Sequence, residues 1–178
     1  MTSKLKVNLI NDGGDNNIIT SNGSGVITSS KFKIGQVIYG RTTTQIQSTS
    51  TSYATTNFSA SITPTSTSSK ILVIFNIHYQ IFGTGADSDF GGNFKIVRTV
   101  SSTDTDVFAE ANPTPRVNNT HSGNAYEHDS YNMTELDEPS TSSACTYTVF
   151  QRARNTNNRI SLSQDSAIST LTLMEVLP

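Results

Sequence analysis

The chain has 178 residues and a formal net charge of -2. That balance excludes a disordered polyelectrolyte, and the scarcity of clustered Lys and Arg argues against a nucleic-acid binder. A single cysteine, Cys145, excludes an intrachain disulfide, and no apolar run approaches the roughly 18 residues of a membrane span.

Ser and Thr make up about three residues in ten, and strand-forming Ile, Val and Thr outnumber the strong helix formers. The chain is therefore written for sheets joined by polar turns. Leu, Ile, Val and Phe make up about 23% of it, just above the level of roughly 20% that marks disorder. Folding is expected, but the apolar complement is thin, and an oligomer that hides extra surface is a natural remedy. Met1 to Lys6 lack a hydrophobic signal-peptide core, so the expected route is cytoplasmic synthesis and release by cell lysis.

Residues 1–34 differ from the rest. Short apolar patches, Lys6 to Ile10 and Asn17 to Thr20, are separated by Asp-Gly and Gly-Gly turn signals, and an Asn-Gly signal at Asn22-Gly23 follows the second. They can form short strands or hairpins but cannot enclose a core. The segment reads as an arm ordered against a neighbour, with a reach on the order of 100 Å when extended.

A first strand begins near Gly35, with Val37, Tyr39 and Arg41 alternating against Gln36, Ile38 and Gly40. Phe58, Ala60 and Ile62 alternate in a second, which ends at Thr63-Pro64. After a turn at 64–69, Lys70 opens the strongest strand. Ile71, Val73, Phe75, Ile77, Tyr79 and Ile81 share one face; Leu72, Ile74, Asn76, His78 and Gln80 share the other, apolar only at its start. Gly83 to Gly92 reads as a loop, Phe94 to Val97 as a strand, and Ser101 to Asp106 as a turn before a short strand at 107–111. Residues 112–128 read as the longest irregular stretch. Tyr131, Met133 and Leu136 resume a strand, Asp137 to Ser143 turn, and Tyr147, Val149, Gln151 and Ala153 alternate in the next. A turn at 155–158 leads to Ile160 and Leu162, and the last strand spans about 169–177. The total, roughly eight or nine short strands and no substantial helix, predicts an all-β antiparallel sandwich or jelly roll at 35–178, carrying the arm at 1–34.

Several segments resemble a known group in order and type. They are Gly35-Gln36-Val37-Ile38, Ile62-Thr63-Pro64 through Ser69-Lys70-Ile71-Leu72-Val73, Phe94 to Arg98, Asp137-Glu138-Pro139-Ser140-Thr141, Tyr147 to Arg152, and Leu171 to Val176 with its Met-Glu pair. This pattern resembles virion structural proteins of tailed phages, particularly phages of aquatic bacteria. Their domains look similar to trimeric jelly-roll heads of the complement C1q and tumour-necrosis-factor type. The resemblance implies a homotrimer, displayed on a virion and attached to other virion proteins through its arm. Capsid decoration or cement, or a head fibre, is the placement a small chain without a shaft favours. A short tail fibre or tail-tip module touching host glycan is the alternative, and an enzyme acting on polysaccharide is a more distant one. The long 112–128 stretch departs from the group's pattern.

No residue set compels an enzymatic reading. Tyr126, Glu127, His128 and Asp129, with His121 nearby, are the only cluster of metal-ligand types, without His-x-x-x-His spacing or a cysteine partner. Asp87 and Asp89 resemble half a calcium loop but lack the distal ligands. A solvated loop and turn-capping carboxylates are the plainer readings. No Gly-x-Ser-x-Gly elbow is present, and a carboxylate pair such as Glu110 with Glu127 is unconstrained by sequence. No cofactor motif appears. If the domain touches a host or an ion, Asp87, Asp89, His121, Tyr126, Glu127 and His128 are the expected contacts, on loops projecting from a rigid scaffold.

Overall fold

A computed structural model describes residues 9–11, 13–14, 17–21, 27–29, 33–84, 90–109, 116–117 and 123–178. Three short arm strands, β1 (Leu9–Asn11), β2 (Asn17–Ser21) and β3 (Ile27–Ser29), pair antiparallel in one small sheet. The remaining strands build a sandwich of two antiparallel sheets. They are β4 (Ile34–Thr42), β5 (Ile46–Ser48), β6 (Ala54–Ile62), β7 (Lys70–Thr84), β8 (Phe90–Val100), β9 (Thr103–Ala109), β10 (Arg116–Val117), β11 (Asn124–Asp137), β12 (Cys145–Ala153), β13 (Asn158–Leu162) and β14 (Ser169–Val176). Among the described residues the sole helical element is a 3-10 turn at Gln164–Ser166.

One sheet is organised by β7. Its 15 residues are long enough to pair with β11 along one edge and with β14 and then β13 along the other. Beyond these lie β4 on β14 and β5 on β13. The second sheet runs β6, β12, β8, with β9 and β10 sharing the far edge of β8.

Period-2 alternation puts Ile71, Val73, Phe75 and Ile77 between the sheets, where each is at most 1% exposed. Phe58, Ile62, Phe94, Ile96, Tyr147 and Val149 meet them from the second sheet. An aromatic chain joins the layers: Phe75 lies 5.9 Å from Tyr131, and Tyr131 lies 6.0 Å from Phe94.

Three segments depart from the sequence reading. Gly83, Thr84 and Phe90 to Gly92 are strand, not loop. These glycines are there for close approach: a Cβ on Gly83 would stand 2.3 Å from the Phe90 ring, and one on Gly92 would stand 2.4 Å from Ile160 Cδ1. The turn expected at 101–106 is only two residues, because Ser101 and Ser102 adopt left-handed φ of 47° and 66°, as a tight hairpin requires. Residues 124–128, expected to be irregular, extend β11, because the long edge of β7 offers them partners as far as Thr84.

Candidate functional site

The sandwich has two ends. The base holds the start of β7, the end of β14 and the entry of the chain into β4. The far end holds the end of β7 and the start of β8.

The base gathers the residues of the sequence motifs. Glu175 is fully buried opposite Ile71. Its Oε1 accepts from the Thr65 backbone N–H at 2.6 Å and the Thr65 hydroxyl at 2.7 Å, and its Oε2 accepts from Gln36 Nε2 at 2.9 Å. Burial pushes this carboxyl up, but the donors from Gln36 and Thr65 outweigh it and hold the carboxyl below its ordinary range. Asp137 faces Ile71 from the other side. It accepts from Arg98 Nη1 at 2.5 and 2.6 Å and from the Tyr147 hydroxyl at 2.6 Å. Burial, the hydrogen bond and the Asp137 charge all push the Tyr147 phenol up. The same triad adjoins Cys145, whose thiol is fully buried and pushed up mainly by that burial. These side chains hold one another, so the motif residues at the base are structural.

The outer face of the β7 sheet is different. Cross-strand register places Val37, Met174, Leu72 and Leu136 in one row and Tyr39, Thr172, Ile74 and Thr134 in the next. Ile34, Val37, Tyr39 and Leu136 there are 45–62% exposed. Farther along, the same face turns polar. His78, Gln80 and Phe82 stand beside Ser130, His128 and Tyr126 of β11. Tyr126 is 57% exposed, and its ring lies 4.9 Å from that of Phe82. Arg159 crosses Phe82 at 4.9 Å and donates to Gln80 Oε1 at 3.3 Å, while Gln80 Nε2 meets His128 Nε2 at 2.8 Å. Three buried polar atoms of this half, His78 Nδ1, Arg159 Nε and Ser161 Oγ, have no hydrogen-bond partner among the described residues.

The expected contact residues separate accordingly. Tyr126, Glu127 and His128 lie in β11 rather than a loop, and alternation sends Glu127 to the opposite face from the other two. Glu127 and Asp129 share that face, and after burial itself their charges help push the Tyr79 phenol up to about 12. Asp87, Asp89, His121 and Glu110 lie outside the described residues. Among the described residues no group of three or more His, Cys, Asp or Glu converges as metal ligands, and no helix is long and apolar enough to cross a membrane. Tyr79 and Tyr131 pack against Phe94. Phe82 and Arg159 were missed in the sequence because their contact is made by cross-strand pairing between segments far apart in the chain, Phe82 against Arg159 on one side and Tyr126 on the other.

No family model matches the chain, and no curated relative matches it. Among solved structures, one titled "Structure of infectious bursal disease virus Gt strain" is similar over 87% of this chain at 12% identity, with a TM-score of 0.29. The likeness covers 41% of that chain, so this protein matches less than half its length.

Proposed function

We propose that this chain is a non-enzymatic structural protein of a phage virion. It forms a homotrimer displayed on the particle surface, with residues 1–34 attaching it to other virion proteins and the sandwich as an outward knob. Its place is that of a capsid decoration, cement or head-fibre protein, made in the host cytoplasm and released by lysis. The observation that carries the oligomer is the outer face of the β7 sheet. Ile34, Val37, Tyr39 and Leu136 are exposed there beside Leu72, Ile74 and Met174, and an apolar patch of this kind marks an interaction surface. In a ring, each copy places this patch on a different surface of the next. The trimer number and the virion location come from the sequence resemblance.

Light scattering on the full chain tests the assembly, and mass spectrometry of purified particles tests the location. The expected results are three copies at micromolar concentration and recovery with the particle. The paired change Val37→Asp and Tyr39→Asp is expected to give folded monomers. A monomeric wild-type protein, or particles lacking the chain, would overturn the corresponding half of the proposal.

A second reading, a short tail fibre or tail-tip module that binds host glycan, is favoured by the exposed Tyr126 ring beside Phe82, Gln80 and His128. Replacing Tyr126 and His128 by Ala separates the two readings. Host adsorption falls if this half-face binds a receptor and is unchanged in a decorating protein.

A further inference from the structure

The three arm strands pair into a sheet with one apolar face. Register sets Ile10 opposite Ile19, Ile19 opposite Ser29 and Ser21 opposite Ile27, so positions 10, 19 and 27 share a face with 17, 21 and 29. No charged residue stands at any of these positions. A sheet this small depends on packing that face against something, and Ile10 is 46% exposed.

The sandwich carries an uncovered face of matching size and polarity. The row Val37, Met174, Leu72 and Leu136 and the row Tyr39, Thr172, Ile74 and Thr134 span four strands, about 14 Å across. Neither row contains a charge, and the next, Arg41, Thr170, Asn76 and Asn132, is polar and bounds the patch. Three arm strands of 3 to 5 residues make a sheet about 10 Å wide and up to about 17 Å long, which the patch accommodates. The chain also ends its arm at this place. Residues 30–33 alone separate Ser29 from Ile34, so β3 ends within about 17 Å of the start of β4. The Leu177 N–H donates to the Lys33 carbonyl at 2.7 Å and fastens that junction to the end of β14.

The single chain leaves both faces exposed: Val37 is 53% and Tyr39 62% accessible, as Ile10 is in the arm. An occupant is therefore left to come from another copy. We propose that the arm sheet of one copy, residues 9–29, packs by its Ile10–Ile19–Ile27 face on the patch between Val37 and Leu136 of the neighbouring copy. Two charge-free sheet faces stacked about 10 Å apart exclude water without stranding a buried charge. Each copy gives an arm and receives one, so the contact is heterologous and suits a closed ring. The inference rests on the oligomer of the proposed function and names the surface that meets the patch. The residues before Leu9 are left to reach the particle.

Cross-linking of full-length chains tests it. Copies carrying only Ile10→Cys are co-expressed with longer-tagged copies carrying only Val37→Cys, and the assembly is treated with a short bis-maleimide. The native Cys145 is fully buried and does not compete. The expected product is a covalent pair of one copy of each kind, absent when either variant is expressed alone. A chain carrying both changes that cross-linked only within itself would overturn the proposal, because the arm would then cover its own copy. Ile10→Asp in the full chain should raise the concentration at which the assembly dissociates about tenfold or more, the usual range for losing a buried aliphatic side chain. Thr20→Asp puts the same charge on the opposite face of the arm sheet and should leave that concentration unchanged. Equal effects of the two variants, or none from either, would overturn the contact. Light scattering of the unmodified chain separates the two readings. A monomer removes the oligomer and this contact with it, whereas a stable oligomer without the mixed pair removes the arm contact alone.

Discussion

At the base of the sandwich the space between the sheets is filled by carboxylates and their donors; at the far end it is filled by rings pressed against glycines. Glu175 and Asp137 flank Ile71 at the base, each saturated with hydrogen bonds. Phe90 over Gly83 and Ile160 over Gly92 close the far end. The base joins chain segments far apart in sequence, Thr65 to Glu175 and Arg98 to Asp137. Its polar groups fix which turn meets which strand. Beside these rings the far end has one buried polar joint of this kind, Asn158 Nδ2 donating to the Gly91 carbonyl at 2.6 Å, and it is where the exposed Tyr126 ring sits. The difference teaches that repeated polar motifs in such a chain can be the joints of the scaffold rather than the chemistry it presents.

The sharpest way to break this comparison is at Asp137. Its replacement by Ala leaves the Arg98 guanidinium and the fully buried Tyr147 hydroxyl without their shared acceptor. Removing one partner of a buried ion pair costs about 3–5 kcal/mol. Urea unfolding should show a loss of this size. The triple change Arg98→Met, Asp137→Leu and Tyr147→Phe should recover most of it, because no buried polar group is then left unpaired. A single variant as stable as the wild type would show that the triad is not a joint.

The far end should answer to volume instead. Gly83→Ala places a methyl group against the Phe90 ring, which cannot swing away without disturbing the core. Overpacking of this kind costs about 1–3 kcal/mol. Phe90→Leu in the same chain should restore part of the loss in a thermal melt. No recovery would mean that the backbone at Gly83, rather than the ring above it, resists the change.

Much of this architecture was legible in the sequence. β6, β7, β12 and β14 gather most of their apolar side chains at alternate positions, so their inward faces could be read directly, Ile71 to Ile77 above all. Gly83, Gly91 and Gly92 misled because glycine signals a turn and a close approach equally, and only the partner, here Phe90 or Ile160, distinguishes them. Asn124 to His128 lack strand-like alternation of apolar residues, and their pairing is imposed by β7. Asp137, Pro64 to Lys70 and the terminal Met-Glu were visible as motifs, but their mutual contacts depend on tertiary structure. The bulge at Asn57 in β6 left no signal, because a bulge in an edge strand alters register without altering composition.

The smallest expected effect lies at Glu175, and it is the one that depends on pH. Its carboxyl is held below the ordinary range in the folded chain, so the unfolded state binds the proton more readily. The stabilisation it provides is therefore complete above the ordinary carboxyl value of about 4.3 and is lost as pH falls through the lower folded value. Glu175→Gln removes that contribution at every pH. The new amide can still accept from Thr65, but its NH₂ group then faces the Gln36 amide. Gln36 can turn to accept from it only by giving up its own bond to the Thr63 carbonyl at 2.6 Å. One hydrogen bond is lost in either arrangement, so the variant should be about 1–2 kcal/mol less stable near pH 7. Urea unfolding of both proteins at neutral and acidic pH isolates the effect, because other carboxylates contribute equally to each. The gap should close as the pH drops below the carboxyl range. A gap of constant size would mean that Glu175 acts through its shape and packing, and that its charge is not what ties the β6–β7 turn to the end of β14.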